Sequence, residues 1–138
     1  MSVERLGPGD RLSGLMRAAR GLAVAIADAD GKLVEWGEGA ERMLGFAAAD
    51  VVGSADLTLG HDPGELAAFA AATGAASGLA ALLADARGQE DPRDWTFVGS
   101  GGTRFPVTRT ISPIIDADGV IVGYAGLARD ISRRRRIE

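Results

Sequence analysis

At 138 residues the chain can bury one core but not two. Its 46% apolar and 25% charged residues are an ordinary globular balance, and with no cysteine it excludes disulfides, thiolate nucleophiles, cysteine–zinc sites and a cysteine–flavin photoadduct. The net charge is −4, of which Arg133–Arg136 contribute +4, so the rest carries −8 and the basic charge sits in one terminal block.

Asp10 reads as the N-cap of a first helix, with Leu12, Leu15, Met16 and Ala19 at helical spacing and Gly21 as its stop. Gly14 weakens that helix, so it relies on packing: Leu12, Leu15 and Met16 form either a dimer face or a lid folded back on the body. Leu22–Ala27 reads as a buried strand, Asp28-Ala29-Asp30-Gly31 as a turn, and Lys32–Trp36 as the returning strand.

Between Gly37 and Gly45 the period becomes helical, with Ala40, Met43 and Leu44 on one face and Gly45 suited to the residue after the helix end. Ala47–Val52 is a short helical turn closed by Gly53. Asp62-Pro63 is an N-cap followed by proline at the first helical position. It opens a helix with Leu66, Phe69, Ala70 and Thr73 on one stripe and Gly74 at its end. Leu79, Leu82 and Leu83 mark a further short helical piece before Gly88. From Asp94 the period is two: a strand through Trp95 and Phe97, a Gly99–Gly102 turn, and a strand carrying Phe105, Val107, Arg109 and Ile111 on one face. An Asp116–Gly119 turn and a last strand over Val120–Ala128 follow. Two strands, short helices and three strands predict an α+β domain: a five-stranded antiparallel sheet with helices on one side. Twenty glycines and many alanines predict tight turns and a small-residue, loosely filled interior.

The alternation turns Arg109 inward, where an unpaired charge is very costly. Two readings stay open. Arg109 is a cation for a carboxylate, phosphate or other anionic group of a ligand, or it makes an internal ion pair with an acidic helix residue or is turned outward by a bulge. The second is the commoner fate of such a residue. Trp36, Phe69, Trp95, Phe97 and Tyr124 are aromatic candidates for lining a ligand cavity, with the Tyr124 hydroxyl at the pocket mouth, although aromatics in strands are more often simple core. The Gly99–Gly102 run lacks the lysine and following helix of a phosphate loop. The acid pairs Asp28/Asp30 and Asp116/Asp118 shape turns. No nucleophile–base pair and no metal-ligand cluster stands out, so no catalytic residue is assigned and the domain is not read as an enzyme.

In order and spacing, several segments resemble the PAS domain of bacterial signalling proteins over roughly Gly21 to Ser132. They are Ala27–Trp36, Ala40–Phe46, Val52-Gly53, His61–Leu66, Gly102–Val107 and Gly119–Tyr124, closing on Arg129-Asp130-Ile131-Ser132. Two positions depart: Gly37 stands where asparagine is common, removing a helix cap or pocket hydrogen bond, and Ser132 replaces the usual threonine. The resemblance implies a sheet and helical flank around a small pocket, upstream of a histidine kinase, diguanylate cyclase or phosphatase domain. It implies that Asp130, paired with a basic partner, and Ser132 tie the last strand to the outgoing linker. Haem in the family is held by a histidine on the long helix. His61, the one histidine, precedes the Asp62-Pro63 helix start and reads as a surface-turn residue, poorly placed for that role. Noncovalent flavin has no residue arguing for it, and no cofactor is required.

The expected organisation is an N-terminal helix over 1–20, the PAS unit over 21–132 and the start of a truncated linker helix over 133–138. The expected function is sensory: a small ligand bound in the core, or homodimerisation, relayed to an effector in two-component or cyclic-dinucleotide signalling. The alternatives are a ligand-free interaction module and a haem or flavin redox sensor. No apolar run reaches the length of a membrane span and no secretion signal is seen at the start, so the expected place is the cytoplasm. Neither membrane nor nucleic acid is expected as a partner.

Overall fold

A computed structural model describes residues 6–88 and 92–133. Of the arginine run, Arg134–Arg136 lie outside the described residues, as does most of the expected linker-helix start. The helices are α1 (Pro8–Ala18), α2 (Glu38–Leu44), α3 (Ala48–Val51), α4 (Pro63–Thr73) and α5 (Gly78–Gly88). The strands are β1 (Ala23–Asp28), β2 (Leu33–Trp36), β3 (Arg93–Val98), β4 (Arg104–Ile115) and β5 (Ile121–Asp130).

The strands form one antiparallel sheet, as the pattern of elements predicted, and the structure adds their order, β2-β1-β5-β4-β3. The turn chemistry explains the hairpins. Asp28 Oδ1 accepts from the backbone N–H groups of Asp30 and Lys32, both at 3.0 Å, and Gly31 supplies the left-handed residue at φ 88°. Asp116 repeats the device with Asp118 and Val120. One sheet face is buried through Ala23, Ala25, Ala27, Val107, Ile111 and Ala128, while Val34, Val122 and Leu127 are exposed. The helical side completes the core with Leu44, Leu82 and Leu83.

Local capping follows the sequence at α4, where Asp62 Oδ2 accepts from the Glu65 N–H at 3.0 Å and Gly74 ends the helix in the left-handed region. At α2 the N-cap is Gly37, which offers no side-chain cap, and Gly45 closes the helix. The expectation at α1 is corrected. Its N-cap is Gly7 and Pro8 is its first residue, while Asp10 sits a turn inside and accepts from the Gly7 N–H at 3.1 Å. Proline at the first helical position outranks a downstream aspartate as a start signal. No residue of α1 is buried: Leu12 is 38% and Leu15 67% exposed, and Met16 is half-buried with its methyl end beside Gly37. α2 approaches the chain before β1 so closely that a Cβ on Gly39 would lie 1.9 Å from the Leu22 carbonyl oxygen.

The connection between α3 and α4 closes both edges of the sheet. Near its start Gly53 donates to the Leu33 carbonyl, and the Leu33 N–H donates to Ala55, along the free edge of β2. Near its end the Asp62 N–H donates to Thr96 at 2.9 Å, the Val98 N–H donates to Gly60 at 2.7 Å, and His61 bridges to Phe97 along the free edge of β3. Between these anchors the segment crosses the buried face. Edge backbone groups that would otherwise invite another strand are thereby satisfied within the chain.

Candidate functional site

Under that crossing segment lies a cavity of about 40 Å³. Its sheet wall is made of small residues, Ala23 and Ala25 of β1 with Gly126 and Ala128 of β5, and the missing side-chain volume is what leaves the space. Trp36, Ala40 and Leu44 close one end, with the Trp36 Nε1–H donating to the Phe46 carbonyl at 2.9 Å. Leu57, Leu59 and His61 line it from above, a period-two run within the crossing segment, alongside Asp56. Arg109, Ile111 and Phe97 complete it from β4 and β3. A water needs about 10–15 Å³ of such volume, so the space suits a ligand of a few heavy atoms.

Arg109 is 6% exposed and points inward, as alternation predicted. Neither alternative for it holds. The β4 register runs without a break through its pairs with Arg93 and Ala128, so no bulge turns it out. Nor is it in an ion pair among the described residues, where the two side-chain bridges are Arg93–Asp85 and Arg104–Asp62. Its Nε and Nη2 are buried without a hydrogen-bond partner, and its guanidinium lies over the Trp95 ring, 5.0 Å from the centroid. Burial, partly offset by the Asp85 charge, lowers its pKa to about 10, so it stays a cation at neutral pH. A desolvated cation–π contact supplies about 2 kcal/mol, which does not replace the hydrogen bonds that a buried guanidinium forgoes.

His61 is corrected from a surface turn to an interior residue, 7% exposed, because the bridge to Phe97 draws it under the sheet edge. Its ring packs edge-on to Trp95 and tilted against Phe97, each at 5.0 Å between centroids. Nδ1 lies 3.2 Å from the Thr58 carbonyl, and Nε2 is buried with no partner. Burial, and then the charge of Arg109, lower its pKa to about 3, so the ring is neutral near pH 7. The sequence signal for this role was the alternation Leu57, Leu59, His61, which the adjoining helix start obscured.

Of the aromatic candidates, Trp36 and Phe97 line the cavity and the other three do not. Phe69, half-buried on α4, packs edge-on against Trp95 at 5.4 Å and takes Arg93 over its face. Tyr124 is fully buried, and its hydroxyl is not at a pocket mouth but accepts from Arg87 Nη1 at 3.0 Å. Asp130 lies at the end of β5 and accepts from the Ser132 N–H at 2.8 Å and from its hydroxyl; it is in no ion pair among the described residues. Two polar links were not anticipated. Arg104 donates to Asp62 and holds that carboxyl below its ordinary pKa, and Glu65 accepts from both the N–H and the hydroxyl of Thr96. Both fasten the start of α4 to the β3–β4 hairpin.

The profile of the family described as PAS domain matches residues 21–133. The fold is shared by the PAS domain of a protein from Colwellia psychrerythraea, 19% identical, with a TM-score of 0.68 over 87% of this chain and 98% of that one. It is shared by a light-oxygen-voltage domain studied with a flavin analogue, 18% identical, with a TM-score of 0.66 over 91% and 87%. The light-oxygen-voltage domain of a blue-light activated histidine kinase from Erythrobacter litoralis EL346 is similar as well, 20% identical, with a TM-score of 0.58 over 80% and 96%. No curated protein matches the chain. The profile runs through all five strands and through α2 to α5, and the chain belongs to the PAS domain family.

Proposed function

We propose that this PAS domain is a sensor of a small anion, bound by Arg109 in the cavity beneath the crossing segment. The observation that carries the reading is the buried guanidinium of a cavity-lining residue, with its Nε and Nη2 unpartnered. A carboxylate or phosphate oxygen would give that charge the charge-assisted bonds it lacks. Occupancy would favour one arrangement of β5, whose Ala128 lines the cavity and whose last residue, Asp130, begins the exit with Ser132 just beyond it, and so bias an effector attached further on. In this reading the PAS unit spans 21–132, lies in the cytoplasm, performs no catalysis and precedes a signalling effector such as a histidine kinase. Among the described residues no single helix is long and apolar enough to cross a membrane.

Flavin and haem do not fit. Pockets for ligands of that size hold about 300–1,000 Å³, far above the 40 Å³ here, and no cysteine is present for a flavin adduct. Visible absorbance of the purified protein checks this, with a flavin or Soret band as the contrary result. The main test is thermal unfolding with small carboxylates and inorganic phosphate. At least one should raise the midpoint of the wild type and leave Arg109→Met unmoved; equal shifts in both would remove Arg109 from the site.

A second reading, homodimerisation through α1, is favoured by the exposure of Leu12 and Leu15 and by the absence of any buried residue in that helix. A lid folded back onto the sheet would bury them.

A further inference from the structure

If the cavity holds an anion, as proposed above, a second wall group limits which anion it can be. The Thr58 carbonyl can only accept, so the His61 nitrogen 3.2 Å from it, Nδ1, carries the ring proton. In the neutral ring Nε2 is then a bare lone pair, and it is buried with no partner. Arg109 offers donors and no acceptor, and the same Trp95 ring lies 5.0 Å from each of the two residues. An anion made of acceptors alone satisfies Arg109 and leaves Nε2 orphaned. An anion with an O–H of its own satisfies both.

We infer that the site selects small monoanions bearing their own hydroxyl, of the size of glycolate or bicarbonate, with the anionic oxygens on Arg109 and the hydroxyl donated to His61 Nε2. The cavity of about 40 Å³ admits such a molecule and little more. A site that contributes a buried hydrogen-bonding group discriminates against an analogue lacking the partner far more sharply than an apolar wall discriminates by size.

Calorimetric titration of the purified chain with glycolate, bicarbonate, acetate and formate at pH 7.5 tests this. Glycolate or bicarbonate should bind at least about tenfold more tightly than acetate and formate. The tighter of the two tells an organic from an inorganic source. His61→Phe keeps an aromatic ring but no lone pair, and should bring the hydroxylated and plain anions to within about twofold of each other. Acetate binding the wild type as tightly as glycolate and bicarbonate would overturn the hydroxyl requirement and leave the anion reading standing. Failure of all four to bind would overturn this inference, and with no response to inorganic phosphate in thermal unfolding it would overturn the anion reading as well. Should His61→Phe not fold, the wild-type series decides alone.

Discussion

Arg93 of β3 holds Asp85 of α5 in a two-point grip, Nε to Oδ2 at 3.0 Å and Nη2 to Oδ1 at 2.9 Å, and that grip leaves Arg109 without a carboxylate partner among the described residues. Arg93 and Arg109 are paired across β3 and β4, so both cations reach toward α5, and Asp85 acts on Arg109 only through its field. The two-point bond fixes the orientation of the carboxylate, which faces Arg93.

Arg109→Met should therefore stabilise the ligand-free protein. It removes a buried charge with unsatisfied donors and retains an unbranched apolar stem over Trp95. A gain of about 1–3 kcal/mol is expected in urea unfolding, the penalty of an orphaned buried donor. A loss of similar size would mean that the guanidinium is satisfied in the folded state.

The pH dependence of stability should carry the mark of His61. Its folded pKa is about 3, against 6.5 for the free side chain. Above pH 6.5 neither state binds the proton. As the pH falls toward 3 the unfolded chain takes it up and the folded protein does not, so stability declines by up to about 1.4 kcal/mol per pH unit. Arg109 stays charged throughout, and Trp95 and Phe97, which pack against the ring, do not titrate. Asp62, held ionised by Arg104, weakens the fold only as the pH nears and passes below its ordinary 3.8. Urea midpoints from pH 7 to 4.5 should fall more steeply for the wild type than for His61→Gln, and parallel curves would refute the buried neutral ring.

Gly39→Ala tests the approach of α2 to the chain before β1. Alanine in a helix ordinarily gains up to about 1 kcal/mol over glycine. Here its Cβ would meet the Leu22 and Arg20 carbonyl oxygens at 1.9 and 2.6 Å, and backbone atoms cannot swing away. A net loss of about 2–3 kcal/mol is expected in chemical denaturation.

Leu12→Glu with Leu15→Glu should change assembly and not folding. Both side chains are exposed, so thermal stability of the isolated subunit should move by less than about 0.5 kcal/mol. Sedimentation should show a dimer for the wild type and a monomer for the double variant. An undisturbed dimer would place the interface elsewhere.

What could be read from the sequence was local chemistry. The Asp28 and Asp116 turns, the Asp62-Pro63 start and the Gly45 and Gly74 stops each depend on residues within four positions, and the alternation in β4 sufficed to turn Arg109 inward. What escaped depended on distant strands. His61 looked like a turn residue because its burial comes from pairing with Phe97, and the Tyr124 hydroxyl is taken by Arg87, 37 residues away. The bond from Arg93 to Asp85 likewise joins two elements whose mutual placement follows from the whole sheet. Alanine and glycine content hinted at a loosely filled interior, but only strand order brings Ala23, Ala25, Gly126 and Ala128 to one spot.

Those four positions have a consequence for descent. Alanine and glycine are the smallest side chains available, so nearly every substitution in that wall subtracts room and almost none adds it. A lineage could fill this cavity in one step, by a single valine or leucine, and keep a sound, better-packed fold. Enlarging the space would instead require moving the backbone or trimming the roof at Leu57 or Leu59.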